Sequence, residues 1–359
     1  FNKPHGIITD GTNLYVADRN NHRIRKIVIS TGVVTTLAGN SAGFADGTGT
    51  SVQFSYPSGV KTDGTNLFIA DRMNHRIRKI VISTGDVTTL AGNGSAGSLD
   101  GTGTSASFNQ PWGITSDGTN LYVVGYSSHK IRKIVISTGV VTTIAGSSNG
   151  FADGTGTSAQ FSLPIGLTTD GTNLYIADYR NHKIRKIALT KTETADVALH
   201  NIDDDAEVSV GVSSSNTTEG TVSPQTLTFN ENNWNTAQTV TVTGVDDSDS
   251  DGHQAYDISL SAKSTEIDFE KENPEVTTFA SGLTKPNGVT TDGTNLYVAV
   301  TDSHIISKIV ISTGEVSTFA GSGVQDSEDG TGTSASFKYP AGITTDGTNL
   351  YVMDTNNHK

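Results

Sequence analysis

The sequence predicts an all-β chain. The expected fold is a six-bladed β-propeller of four-stranded antiparallel blades, the last incomplete, with a small β-sandwich inserted in blade four. Three observations carry this. The string Asp-Gly-Thr-Asn recurs at Asp10, Asp63, Asp117, Asp170, Asp292 and Asp346, with spacings of 53, 54, 53, 122 and 54 residues. A fixed period near 50 marks a repeat array, and solenoid coils repeat at shorter intervals, about 20 to 30 residues. Each repeat holds four strand-length runs rich in β-branched residues and bounded by Gly, Asn and Asp, and no window sustains a 3.6-residue period. Four antiparallel strands per unit, repeated radially, describe a propeller blade.

The second repeat shows the elements in order. Pro57-Ser58-Gly59-Val60 opens an inner strand, and Asp63-Gly64-Thr65-Asn66 turns it into Leu67-Phe68-Ile69-Ala70. A polar loop leads to a third strand, His75-Arg76-Ile77-Arg78-Lys79-Ile80, and Ser83-Thr84-Gly85 turns it into Val87-Thr88-Thr89-Leu90-Ala91. In the fourth repeat the outer strand must come from Val276-Thr277-Thr278-Phe279, beyond the irregular spacing. The expected boundaries are therefore 1–190 and 276–359 for the propeller and 191–275 for the insert. The sixth repeat ends at Asn357-His358-Lys359, where the others continue into a third strand, and the first begins at an inner strand. Either the sequence is a piece of a longer chain, the favoured reading, or a second copy completes the blade.

Composition supports the division. The net charge of −13 is local: residues 191–275 hold 18 acidic and 3 basic residues, leaving 19 and 21 of the chain's 37 and 24 elsewhere. Such a shift marks a separate module, and acidity of this kind argues against nucleic acid as a partner. With Cys 0 there is no disulfide, thiolate metal site or Cys nucleophile. No apolar run approaches the ~18 residues of a membrane span. In the insert, Glu207-Val208-Ser209-Val210-Gly211-Val212, Leu227-Thr228-Phe229 and Thr239-Val240-Thr241-Val242 alternate as sandwich strands do.

The middle residue of each Pro-x-Gly is expected to face the axial mouth. Those residues are His5, Ser58, Trp112, Ile165, Asn287 and Ala341, all different although their flanks repeat. The loops between second and third strands also diverge, at Arg19-Asn20-Asn21, Gly125-Tyr126-Ser127-Ser128, Tyr179-Arg180-Asn181 and Thr301-Asp302-Ser303. Functional residues concentrate on loops held by a rigid scaffold. His5, Trp112, Asn287, Tyr126, Tyr179 and Arg180 are accordingly the candidate ligand-binding residues, with Trp112, Tyr126 and Tyr179 as aromatic anchors; drift at tolerant positions is the alternative.

Three further patterns carry candidate chemistry. Asp203, Asp204, Asp205 and Glu207 could join Asp246, Asp247, Asp249 and Asp251 around calcium, which takes six to eight oxygen ligands; the alternative is two solvated acidic turns. His22, His75, His129, His182, His304 and His358 fall at equivalent positions around a ring and cannot converge on one ion, so each imidazole is expected to bond a loop carbonyl. Asp46-Gly47-Thr48-Gly49-Thr50 and its copies at Asp100, Asp153 and Asp329 read as turns anchored by Phe54, Phe108, Phe161 or Phe337, without the ending that cradles phosphate.

The repeat resembles the NHL-repeat β-propeller through Pro57-Ser58-Gly59-Val60, Leu67-Phe68-Ile69-Ala70-Asp71 and Asn74-His75-Arg76-Ile77-Arg78-Lys79. Copies recur at Asn21-His22-Arg23-Ile24, Asn181-His182-Lys183-Ile184 and Asn357-His358-Lys359; Ser128-His129 and Ser303-His304 depart from the pattern. This resemblance implies a six-bladed ring, usually a binding platform and sometimes a lyase or lactonase relative. The segments Asn201-Ile202-Asp203-Asp204-Asp205, Asn233-Trp234-Asn235-Thr236-Ala237-Gln238 and Val245-Asp246-Asp247-Ser248-Asp249 resemble Calx-β-like modules of bacterial surface proteins. That second resemblance implies an extracellular or cell-surface chain and often calcium.

Catalysis gets little support. The zinc of lyase relatives needs about three protein ligands, and at the ring level only His5 is available; the pore calcium of lactonase-like relatives wants several inward Glu, Asn and Asp, and Asn287 alone answers. No Ser-His-Asp constellation has a nucleophile elbow. The expected function is a non-catalytic extracellular binding or adhesion module that takes protein or glycan at the pore face. The second reading is a structural subunit of an extracellular filament or coat, self-assembling through the incomplete last blade. The third is a pore-site metal-dependent lyase or lactonase-like hydrolase.

Overall fold

The glycine of each Pro-x-Gly is glycine because a neighbouring backbone occupies the space of a side chain. In the computed structural model, a Cβ on Gly6 would stand 2.2 Å from the Ser58 carbonyl oxygen, one on Gly59 2.3 Å from that of Trp112, and one on Gly113 2.3 Å from that of Ile165. The sequence continues with Gly166 against Asn287 at 2.1 Å, Gly288 against Ala341 at 2.2 Å, and Gly342 against His5 at 1.8 Å. Each inner segment thus lies against the next, and the last lies against the first. The ring is closed by backbone packing, at distances no β-carbon tolerates.

The structure describes residues 1–189, 208–214, 220–230, 238–244, 258–264 and 274–359. The chain divides into two compact units, Phe1–Lys191 with Glu272–Lys359, and Thr192–Lys271. The first is an all-β propeller. Its second sheet orders Pro57–Thr62, Asn66–Asp71, Arg76–Val81 and Asp86–Ala91 from inside out, all antiparallel, and Gly47–Thr48 from the preceding linker adds a fifth, short strand. The third and fourth repeats form equivalent five-stranded sheets, and the first and fifth form the same four strands without the short one. In the fourth, Glu275–Ser281 pairs with Lys183–Ala188 and supplies the outer strand. The sixth position holds a two-stranded sheet, Pro340–Thr345 with Leu350–Asp354. In the second unit, Val208–Ser214 pairs with Thr226–Phe229 and Ile258–Ser264, and Gly220–Ser223 pairs with Thr241–Gly244.

The apolar core of the propeller is divided into wedges between adjacent sheets. Tyr15, Ala17 and Ile24 pack against Phe54, Leu67 and Ile69, and Phe68, Ala70 and Ile77 pack against Phe108, Leu121 and Val123. At the seam, Ile7, Leu14 and Val16 pack on Met353. The second strand of each sheet is covered on both faces, which is why Leu67-Phe68-Ile69-Ala70 is an unbroken apolar run. The Asp-Gly-Thr-Asn turns are held by their aspartates: Asp63 accepts the amides of Thr65 at 2.9 Å and Asn66 at 2.6 Å, and Gly64 takes the φ of +90° the turn requires.

Two sets of repeated polar residues join one sheet to the next. Arg78, Arg132 and Arg185 are fully or almost fully buried. Arg78 donates to Asp71 at 2.9 Å, to the carbonyls of Gln53 at 3.2 Å and Ala45 at 2.9 Å, and to Asp46. Arg185 repeats this with Asp178 at 3.0 Å and Asp153 at 2.7 Å. Asp46, Asp100 and Asp153 of the long linkers are therefore counter-charges of buried arginines, and Phe54, Phe108 and Phe161 lie beneath the guanidinium groups at 5.3, 5.2 and 5.0 Å. Burial pushes the Asp71 carboxyl up to about 6, although Asn74, Ser55 and Arg78 all favour its charge. The repeated histidines correct an expectation. Their Nδ1 atoms accept backbone N–H groups rather than bonding carbonyls: Tyr56 to His22 at 3.1 Å, Gln110 to His75 at 3.1 Å, Leu163 to His129 at 3.2 Å, Lys285 to His182 at 3.0 Å, Tyr339 to His304 at 3.2 Å, and Lys3 to His358 at 3.4 Å. Each donor belongs to the following repeat and immediately precedes its Pro-x-Gly.

Arg78→Ala, which strands Asp71 without its counter-charge, should cost about 3–5 kcal/mol in urea unfolding; Asp46→Asn should cost less than about 1 kcal/mol because Asp46 is 44% exposed. Burial holds His22, His75 and His129 below 6.5, helped at His75 by Arg76 and Arg72. A depressed folded value means that their contribution is full above 6.5 and lost as pH falls below it. The stability that His75→Ala removes should thus be about 1 kcal/mol and level from pH 8 to 7, and should shrink on further acidification, whereas Asp71, with its raised carboxyl, gains stability as pH falls below about 6.

Candidate functional site

The six inner segments surround an open funnel with about 70 Å³ of room, lined by residues of every repeat, among them His5, Trp112, Ile165 and Asn287. Ser58 and Ala341 hold the same sequence position but are buried in the wall. The Ser58 hydroxyl lies 3.1 Å from the Trp112 carbonyl and 3.3 Å from those of Ala70 and Pro111.

His5 and Trp112 form one contact. The indole Nε1–H donates to His5 Nε2 at 3.0 Å, with the rings edge to face at 5.1 Å. Burial, then Arg19 and Arg72, hold the His5 imidazole down to about 3. Its Nε2 accepts, so Nδ1 carries the proton of the neutral ring. Tyr126 joins the cluster, 4.6 Å from Trp112. Trp112 itself is only 7% exposed. It meets a ligand with little of its surface and instead supports the groups around it.

Those groups come from the start of the loops between second and third strands, where the sequence singled out Tyr126 and Tyr179 as candidates but neither Arg19 nor Arg72. The residue after each second strand is Arg19, Arg72, Tyr126, Tyr179, Thr301 and Thr355 in turn. Arg72 lies over Trp112 at 4.2 Å and Tyr126 at 5.4 Å, and Arg19 lies over Trp112 at 5.1 Å and Tyr56 at 5.9 Å. Burial first, then the charge of Arg19, bring Arg72 down to about 10. On the other side the threonines are consumed by structure: Thr301 donates to the Pro340 carbonyl and Thr355 to that of Pro4, both at 2.9 Å. The mouth is cationic and aromatic on one side and neutral on the other. The signal was in the sequence, since Arg-Arg-Tyr-Tyr-Thr-Thr appears once the repeats are aligned on their second strands.

Of the expected binding residues, His5, Trp112 and Tyr126 come into contact, and Asn287 lines the same funnel with its Oδ1 buried and unpartnered. Tyr179 stands apart. The Lys285 ammonium lies 5.9 Å from its ring and is paired with Asp302 at 2.6 Å. Arg180 is exposed, and its amide donates to the Ser162 carbonyl at 3.1 Å. Asp203, Asp204, Asp205, Glu207, Asp246, Asp247, Asp249 and Asp251 lie outside the described residues. Among the described residues, no group of three or more His, Asp and Glu is arranged to hold a metal.

Comparison with known proteins fits this geometry. Residues 1–27 match the family model described as NHL repeat. Protein SUPPRESSOR OF QUENCHING 1, chloroplastic, from Arabidopsis thaliana is 30% identical over 215 residues, covering 55% of this chain and 20% of that protein. NHL repeat-containing protein 2 from Bos taurus is 32% identical over 156 residues, covering 39% of this chain and 22% of that protein. The match thus spans about a fifth of each relative's length. An auxiliary nutrient binding protein from Bacteroides thetaiotaomicron superposes with a TM-score of 0.56 at 13% identity, covering 100% of this chain and 68% of that one. At that identity the likeness speaks to the propeller fold alone.

The His5 imidazole should stay neutral from pH 7 to pH 5 when its ring signals are followed by NMR. In Arg19→Gln/Arg72→Gln its midpoint should rise and yet remain below 6.5, because burial is the larger cause.

Proposed function

We propose that this chain is a non-catalytic binding module, displayed outside the cell, that takes its ligand at the mouth of the propeller funnel. The observation that carries the reading is the contrast between scaffold and mouth. Residues that close and clip the ring repeat from sheet to sheet, while two positions per repeat, both at the mouth, vary around it. A buried, unpartnered Asn287 oxygen and a neutral His5 with a free donor offer a ligand directional hydrogen bonds. Protein or glycan is the proposed ligand, and the name of the nutrient-binding structural neighbour is consistent with capture. The finer family reading, six NHL-type blades with a Calx-β-like insert that binds calcium, belongs to the same proposal. Its support is the six mutually packed inner segments and the acidic composition of residues 191–275.

Against a pore-site lyase or hydrolase stands the lining itself, in which, among the described residues, His5 is the one imidazole and no carboxylate is present.

The test is an array of glycans and extracellular proteins probed with the wild type and Asn287→Leu. A ligand held by the wild type and weakened at least about tenfold in the variant supports the mouth as the site. Equal retention by both proteins moves the site elsewhere, and chemical change in the bound ligand, read by mass spectrometry, overturns the non-catalytic assignment.

A further inference from the structure

We infer that the mouth recognises a hydroxylated carboxylate, a sugar acid, whose carboxylate is gripped by Arg19 and Arg72 and whose hydroxyl groups reach His5 and Asn287. The inference rests on the pore-mouth reading above and names the chemistry of its ligand.

Arginines elsewhere in this fold show what a satisfied guanidinium looks like. The terminal nitrogens of Arg78 and Arg185 are bound to two aspartates and two carbonyls each, and those of Arg132 to Asp100 and two carbonyls. Arg72 has one partner, the neutral Gln110 oxygen at 2.6 Å. Arg19 has no side-chain hydrogen bond and no ion pair among the described residues. Both are partly buried and both are held over Trp112. A buried Nε without a partner is shared by all five arginines, so it distinguishes nothing. The terminal nitrogens do. Two like charges stand together on one aromatic platform, partly desolvated, with no carboxylate to balance them. An arginine fork matches a carboxylate bidentately, and such a pair is roughly twice as strong as a neutral hydrogen bond.

The second half of the argument lies deeper in the funnel. His5 Nε2 accepts from Trp112, so Nδ1–H is the ring's donor, and it has no partner among the described residues. Asn287 Oδ1 is an acceptor without one, and Asn287 is 7% exposed. A hydroxyl both donates and accepts, so neighbouring hydroxyl groups satisfy such a pair where an apolar acid would not. Trp112 is too buried to stack flat on a sugar ring. Recognition therefore runs through the edge of the ligand, its carboxylate and hydroxyls.

The test follows the indole N–H signal of Trp112 by NMR in the intact chain, assigned by its loss in Trp112→Phe. Galacturonate and trigalacturonate are titrated beside their neutral methyl esters and a hexaglutamate peptide. The expected result is a saturable shift of the Trp112 signal with the acids, weakened at least about tenfold by esterification and by Arg19→Gln/Arg72→Gln, and reduced by added salt. Preference for the trimer marks a glycan chain as the source, and equal binding marks a free sugar acid. Arg19→Lys/Arg72→Lys guards against a folding defect. It keeps the charge without the fork, and a folded protein with intermediate affinity supports the assignment. Equal binding of acid and ester, in wild type and variants alike, overturns the carboxylate and leaves the pore-mouth reading standing. A response to hexaglutamate but to no sugar acid overturns the sugar. No shift with any probe overturns the inference, while the array with Asn287→Leu, which assumes no charge, decides the broader reading independently.

Discussion

At the centre of the propeller, six glycine Cα atoms lie where the next segment's carbonyl oxygen leaves no room for a side chain. Everything outward of that contact follows from it. The inner segments can surround a narrow funnel only if their backbones touch, and the sheets then fan outward so that each pair encloses an apolar wedge. Any residue larger than glycine would push one segment away from its neighbour and open the wedge behind it. The proline two residues earlier fixes the direction of entry by setting its own φ.

Farther out, where the sheets diverge, backbone contact gives way to polar ties. The histidines accept amides across the gap, and the arginines reach carboxylates and carbonyls of the linkers. Both are costly groups to bury: the histidines meet main chain of the adjoining repeat, and the terminal nitrogens of the arginines meet the linker and, in the second and fourth repeats, an aspartate of their own sheet. The ties also show where the pattern relaxes. In the third repeat Gly125 replaces the aspartate that pairs with Arg78 in the second, and Arg132 relies on Asp100 and two carbonyls. In the fifth, Ser307 stands in the arginine's place and is itself buried.

The fold was legible because its signal is redundant. A turn motif read six times fixes the period, and four β-rich runs per period fix the sheet. The polar ties were harder to read. The repetition of His75 and its equivalents was plain, but its partner is a main-chain amide about 35 residues away, and no side-chain pattern announces an amide. The mouth was half legible. Its inner positions stand between repeated Pro and Gly and were easy to compare. Arg19 and Arg72 were hidden by the charged residues around them, including the scaffold arginines Arg25 and Arg78. Trp112 was expected as a binding anchor, whereas the structure buries it beneath two guanidinium groups.

The six histidine clips have a consequence for how such a molecule changes over time. Each tie joins one repeat to the next through a side chain on one partner and only main chain on the other. The accepting repeat must therefore keep its histidine, while the donating residue is free: Lys3, Tyr56, Gln110, Leu163, Lys285 and Tyr339 all serve. A duplicated repeat arrives with its own half of every joint and fits beside any neighbour. The rim can then be rewritten residue by residue, as in an alphabet set in a fixed frame, without renegotiating the joints that hold the frame together.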